Sequence, residues 1–247
     1  MKLHCLENGK VFGYTTFGCM WKQGECSTDT GYVCRNAEGR EVPMQSRVTA
    51  YWPDGSVKWT AHTADAEKLG SEAEVLTGSP APYEGMTVCE DAAGIVLKSG
   101  LITVTVKKDG RHLFESAERD GKAFLKNAVP VLMLEEPGVM QGHPVKIQKD
   151  YKGVIEKVSV EQEGKLTTIL RYDGIHVSED GDRKLPFIIR MEAGYNNPNL
   201  KFTHTFLYDG DEERDFLKGL GIRFETPVSG EYYNRHVKFT GDYGVFH

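Results

Sequence analysis

Tyr232-Tyr233-Asn234-Arg235-His236-Val237-Lys238 gathers phenol, guanidinium, imidazole and ammonium groups into one short stretch. A guanidinium can grip a carboxylate through two parallel hydrogen bonds, and His, Lys and Tyr are side chains that trade protons in general acid–base chemistry. The stretch reads as a strand. Tyr233, Arg235 and Val237 then face one way and Asn234, His236 and Lys238 the other, so a single site would need a bulge to collect them. The competing reading is of residues that are exposed or simply packed.

A second chemical signal is aromatic. Trp21, Tyr51, Trp52 and Trp59 fall in the first quarter of the chain, and open indole faces can stack on flat apolar rings as readily as they fill a small core. Tyr51 and Trp52 alternate, so a regular strand turns only one of them inward. His204 shares a face with Phe202, Phe206 and Tyr208 and reads as a packed, hydrogen-bonded histidine. Asp209, Asp211, Glu212, Glu213 and Asp215 make an acidic cluster, but a calcium loop starting at Asp209 would set Arg214 where Gly is required and Leu220 where Glu should sit. A solvated turn is the better account.

General catalytic signatures are missing: the sequence has no G-x-S-x-G, no G-x-x-x-x-G-K-[ST], no H-E-x-x-H and no G-x-G-x-x-G. The 247 residues are 39% hydrophobic and 27% charged, the balance of a folded soluble domain with room for a sizeable core. A net charge of -6 argues against the phosphate backbone of a nucleic acid as main partner, although it leaves space for a local basic groove. Cys5, Cys19, Cys26, Cys34 and Cys89 are odd in number and irregular in spacing, without a paired C-x₂₋₄-C knuckle; they read as reduced thiols. With no apolar run at the N-terminus and none of membrane-spanning length, the expectation is a cytoplasmic protein without membrane contact or metal site.

The elements that must hold these residues are strands. Ala50-Tyr51-Trp52-Pro53-Asp54-Gly55-Ser56-Val57-Lys58-Trp59 joins two strand signals across a Pro-Asp-Gly turn. Downstream, Val57, Trp59, Ala61 and Thr63 alternate with Lys58, Thr60 and His62, so one face packs and the other is wet; the hairpin is read as structural, with Trp59 buried. Further strands are expected near Val11–Phe17, Gly31–Asn36 and Val42–Trp52. Residues 78–85 have linker composition, which separates a first module, 1–78, from a second, 86–247. In the second, strand signals recur at Ile95–Leu97, Leu101–Val106, Val154–Gln162, Leu166–Tyr172, Leu185–Glu192 and Lys201–Tyr208, the pattern of an antiparallel sandwich. Asp211–Gly219 alone has a helical flavour, of one or two turns.

Gln45-Ser46 followed by the 50–59 decapeptide resembles the signature of the exo-rhamnogalacturonan lyase and YetA-like family. Thr16-Phe17-Gly18-Cys19-Met20-Trp21-Lys22-Gln23-Gly24-Glu25 matches that family's earlier strand, and resemblance continues at Leu185–Arg190, Thr203–Asp211 and Asn234–Phe239. The resemblance implies an all-β chain: a small N-terminal RIFT-like β-barrel, then a central antiparallel β-sandwich, with a C-terminal helical toroid beyond. The chain ends at Gly244-Val245-Phe246-His247, directly after a strand-like run, so the toroid is expected to be missing and the chain to be a front fragment or an early-terminated relative. The chemistry implied is β-elimination at galacturonosyl linkages. It needs a partner for the C6 carboxylate, a base for the C5 proton and an acid for the departing O4 oxygen.

Within that frame Arg235, His236 and Tyr233 are the catalytic candidates, and Trp52, Trp21 and Lys238 the substrate-binding ones. No cofactor is expected, although a divalent cation would serve where Arg does. Two functions follow. One is a saccharide-binding or scaffold portion of a polysaccharide lyase, its partner an acidic plant polysaccharide or oligosaccharide. The other is a structural module docking onto the helical domain or a partner chain.

Overall fold

The computed structural model describes residues 1–5, 13–228, 230–235, 239–241 and 244–246. His236 and Lys238 lie outside them, as do residues 11 and 12 of the first expected strand. The described chain is almost entirely β, as expected, and falls around two main hydrophobic cores.

The first core is enclosed by seven strands: β1 (Lys2–His4), β2 (Tyr14–Met20), β3 (Tyr32–Asn36), β4 (Glu41–Val42), β5 (Met44–Tyr51), β6 (Val57–Asp65) and β7 (Glu72–Thr77). They form two antiparallel sheets, ordered β1-β7-β3-β4 and β2-β6-β5. Cys19, Trp21, Tyr32, Cys34, Met44, Val57 and Val75 fill the space between. The Pro-Asp-Gly turn forms as its residues dictate: the Gly55 N–H donates to the Trp52 carbonyl (2.9 Å), and Gly55 takes φ +83, which a side chain would resist. Asp54 caps this turn by accepting from the Ser56 N–H (3.0 Å) and hydroxyl (2.6 Å), which hold its carboxyl below the usual carboxylate range. A one-turn helix, α1 (Ala66–Leu69), follows β6. Asp65 accepts at its N-terminus and Gly70 closes it at φ 71, so a turn of helix stands here that was not among the expected elements.

The second core lies within one folded-over sheet. Its strands are β8 (Thr87–Glu90), β9 (Gly94–Lys98), β10 (Thr103–Lys107), β11 (Ser116–Arg119), β12 (Lys122–Met140), β13 (His143–Gln162), β14 (Thr167–Ser178), β15 (Arg183–Gly194) and β16 (Leu200–Phe206), paired in the order β16-β15-β14-β13-β12-β11-β10-β9-β8. Ile95, Leu97, Val104 and Val106 of one end share a core with Leu170, Tyr172, Ile189 and Met191 of the other, which makes the sheet a sandwich. β17 (Phe216–Glu225) pairs with β12, and β18 (Phe239–Gly241) pairs with β19 (Gly244–Phe246).

Three expectations change. Residues 212–214 form only a turn and Phe216–Glu225 is a strand, not a helix: its residues complete the ladder along β12, and that pairing outweighs the weak local helical signal. Tyr232–Asn234 is a turn of 3₁₀ helix, not a strand, so the alternation inferred for that stretch does not apply. Trp59 is 39% exposed while Thr60 and His62 are buried, the reverse of the expected facing at those positions, whereas Val57 and Thr63 are buried as expected.

Candidate functional site

The reversal on β6 has a visible cause. Register places Cys19, Thr60 and Val48 in one cross-strand row and Phe17, His62 and Ser46 in the next, all turned toward the barrel core. Inside, the Trp21 indole N–H donates to the Thr60 hydroxyl (2.9 Å), which lies 2.6 Å from Nε2 of His62; Nδ1 of His62 lies 2.8 Å from the Ser46 hydroxyl. A buried polar side chain is tolerated when its partners are supplied, and this relay supplies them. Burial holds the His62 imidazole down to about 4, so it is neutral near pH 7.

The outward face of the same sheet carries the other parity. Met20, Trp59 and Ala50 form one row, Gly18, Ala61 and Arg47 the next, and Thr16, Thr63 and Gln45 the third. The Trp59 six-membered ring lies over Gly18, 3.8 Å from where a Cβ would stand. Its neighbours in the rows, Gly18, Ala50 and Ala61, are small, and Met20 beside it is 54% exposed. Arg47 is exposed and makes no ion pair among the described residues.

Gln45 ends this face against the sandwich. Its Oε1 accepts from the N–H groups of Leu166 (3.0 Å) and Thr167 (3.1 Å), and its Nε2 donates to the Thr167 carbonyl (3.1 Å). Tyr83 adds a bond from its hydroxyl to the Met44 carbonyl (3.2 Å), and the Tyr14 hydroxyl donates to the Tyr195 carbonyl. At ~3.3 Å per strand residue, Arg47 stands about 7 Å and Trp59 about 13 Å from this seam along the barrel sheet.

Beyond the seam, β14 carries Ile169, Arg171 and Asp173 on the face opposite to buried Leu170 and Tyr172. Arg171 binds Asp173 through two nitrogens, with Nη2 to Oδ1 at 2.6 Å, and its Nη1 is 3.6 Å from Glu161. Arg190 grips Glu161 with Nε (2.6 Å) and Nη2 (2.8 Å). A bulge between Val160 and Gln162 aims Glu161 between the two guanidiniums. The Arg190 bonds pull the Glu161 carboxyl below its usual range. Lys157, Ser159, Glu161, Arg171 and Asp173 line an open concavity of ≈ 460 Å³.

The residues singled out from sequence scatter. Trp21 is buried, with its indole N–H on Thr60. Trp52 is half-buried at the hairpin tip; its N–H donates to the Trp21 carbonyl (3.1 Å) and the Lys58 ammonium covers its ring at 4.4 Å. Tyr233 is 77% exposed, and Arg235 donates to the Gly230 carbonyl (2.9 Å) in its own loop. His204 packs against Phe187 and Phe206. Its Nε2 is buried without a partner, so burial, with His176 beside it, holds its imidazole at about 4. Asp215 is buried on Lys184 (2.7 Å), and among the described residues no group of three His, Cys, Asp or Glu is placed to hold a metal ion. No helix of the described chain is long and apolar enough to cross a membrane.

Gln45 belongs to the stretch that carried the resemblance, yet its role at the seam required a partner 122 residues away. Exposure of Trp59 next to Gly18 was hidden by the polar interior, and the Arg171–Glu161–Arg190 array by long-range pairing.

Comparison with known proteins agrees with this architecture. Residues 1–78 match the PcRGLX-like N-terminal RIFT barrel domain, and residues 86–247 match the PcRGLX-like protein central beta sandwich domain. The protein YetA of Bacillus subtilis (strain 168) is 30% identical over 242 residues, which is 96% of this chain and 28% of YetA. The chain thus spans little more than a quarter of the length of that relative. With a RIFT barrel and a central β-sandwich each matched across their extent, the chain belongs to the PcRGLX-like family.

Proposed function

We propose that this chain is the saccharide-holding, β-rich portion of a rhamnogalacturonan lyase-like protein, and that it grips a sugar chain on the outward face of the barrel beside the seam with the sandwich. The observation that carries this reading is the partly exposed Trp59 indole, whose six-membered ring lies against Gly18. Pyranose rings present apolar C–H faces that fit such a surface, and the neighbouring guanidinium of Arg47 suits a carboxylate on the ring. Family membership supports the class of ligand. Elimination chemistry is left outside this proposal, because Tyr233 is exposed on a turn of 3₁₀ helix and Arg235 is bonded to the Gly230 carbonyl.

Titration calorimetry with rhamnogalacturonan oligosaccharides tests it, alongside ultraviolet absorbance for the conjugated C4–C5 double bond. Binding that is lost in Trp59→Ala, without growth of absorbance, is the expected result. Absorbance growth that disappears with Arg235→Ala would replace the reading by a complete lyase; no binding by the folded protein would remove it.

A second reading rests on a separate surface. Met140 (63% exposed) and Ile147 (49%) lie on one face of the β12–β13 hairpin. Such a patch is the mark of a docking module that meets a helical domain or partner chain. Intact saccharide binding in Ile147→Asp, with loss in Trp59→Ala, would separate the two surfaces.

A further inference from the structure

The inward row of the barrel sheet contains an arrangement that saccharide holding does not use. Ser46 is exposed although it has inward parity, because β5 is the last strand of its sheet. Its hydroxyl is 2.8 Å from Nδ1 of His62, a side chain with no exposed surface. The imidazole is clamped between Phe17 (ring centroids 5.7 Å apart) and Tyr32 (5.3 Å, edge-on), and its far nitrogen is 2.6 Å from the Thr60 hydroxyl. An indole N–H can only donate, so the Thr60 oxygen must accept from Trp21 (2.9 Å). Thr60 can send its own proton to the Cys19 carbonyl (3.5 Å); Nε2–H then donates to Thr60, and Nδ1 is left as an acceptor for Ser46. A hydroxyl on an exposed serine, a ring nitrogen within reach and a third group that orients the ring are the geometric signature of an activated nucleophile.

We propose that Ser46 is a nucleophile that takes the acyl group of a small O-acyl ester, with His62 as its base and Thr60 as the positioning residue. The Ser46 proton passes to Nδ1 of His62 as Oγ bonds to the acyl carbon. The ester C–O bond breaks, and the departing alkoxide leaves as an alcohol with the proton from Nδ1. Water then attacks the acyl-serine by the same route in reverse, releasing the carboxylic acid and restoring the hydroxyl. Edge position serves the substrate as well, since an edge strand leaves alternate backbone N–H groups free to meet the oxyanion. The depressed basicity of His62 makes it a weak base, so a slow acylation is expected and not rapid turnover.

The probe is p-nitrophenyl acetate, with acetylation followed residue by residue by peptide mass spectrometry on the full chain. Ser46 should acetylate about 100-fold faster than Ser71, an exposed serine of the same barrel, which is the low end of what a positioned base contributes. His62→Gln should bring Ser46 down to the rate of Ser71, and Ser46→Ala should remove the fast nitrophenolate release. Equal rates at Ser46 and Ser71, or an advantage that survives His62→Gln, overturn the proposal. The ratio is read on the unaltered protein, so a misfolded His62→Gln leaves the test decisive. Loss of oligosaccharide binding in Trp59→Ala with Ser46 acetylation intact separates this site from the outward one.

Discussion

Gln45 pairs with Thr167 as a neighbouring strand would: its side-chain amide accepts from the Thr167 N–H at 3.1 Å and donates to the Thr167 carbonyl at 3.1 Å. A glutamine from the barrel thus completes the edge of the sandwich, and Thr167 beneath it is buried. Gln45→Ala would leave these backbone groups without partners in a place water reaches poorly, at a cost of about 1–3 kcal/mol. The expected outcome is a lowered denaturation midpoint, with barrel and sandwich fluorescence and circular dichroism signals no longer coincident. An unchanged, single transition would show that the seam is held elsewhere.

Gly164 gives this clamp its space. A Cβ there would stand 2.0 Å from Cδ of Gln45, and the amide cannot step aside without breaking its bonds. Gly164→Ala should therefore destabilise by about 1–3 kcal/mol. In the double variant with Gln45→Ala the clash is gone, so the two losses should sum to less than their separate values. Strict additivity in urea titrations would contradict the contact.

The sequence made the hairpin of residues 50–59 legible because its turn is a local matter: Pro53 supplies a fixed φ and Gly55 a positive one. Facing on β6 was misread because alternation says which residues share a side, not which side is in. Thr60 and His62 go in only because Trp21 and Ser46 meet them there, from 39 and 16 residues away. The middle of the sandwich was silent for another reason. Pro137 and Gly138 within β12 look like breaks, yet the strand runs on because Ile147 of β13 lies across Gly138, where a Cβ would be 2.3 Å from its Cδ1. Site residues followed the same division. Arg171 and Arg190 acquire meaning only through Glu161, which a bulge delivers, and no local pattern announces that bulge.

Trp59 predicts a separation of stability from binding. At 39% exposure, its removal should cost less than the ~3–5 kcal/mol of a buried tryptophan. Trp59→Ala is expected to shift the denaturation midpoint modestly while weakening oligosaccharide affinity by tenfold or more, about 1.4 kcal/mol. Trp59→Phe should retain part of that affinity. A variant with full affinity would remove the indole from the binding face.

Acid should loosen the fold through its buried imidazoles. His62 and His204 sit at about 4, against an ordinary value near 6.5. Both are therefore protonated more readily in the unfolded chain, so their contribution is complete above pH 6.5, declines as pH falls, and is spent once pH passes about 4. For His62 the loss across that window is on the order of 3 kcal/mol. His62→Gln should flatten the pH dependence by about one proton, read from denaturation midpoints at several pH values. An identical slope would mean that His62 reaches solvent in the folded state.

Thiol reactivity offers the last check, and it reports on the barrel core directly. Cys19, Cys26 and Cys34 are buried, Cys5 is half-buried and Cys89 is exposed, all five as free thiols. Burial pushes the Cys34 thiol up to about 11 and raises those of Cys19 and Cys26, so few thiolates form there near neutral pH. In the folded protein Cys89 should react first with a thiol reagent, and Cys19, Cys26 and Cys34 only when the barrel opens. Denatured without reductant, the chain should yield all five thiols; recovery of three or one would reveal disulfides. Gln45→Ala gives the comparison its edge. If the clamp only joins the two modules, the three core cysteines stay protected in that variant, whereas their rapid labelling would show that the barrel depends on the sandwich to remain closed.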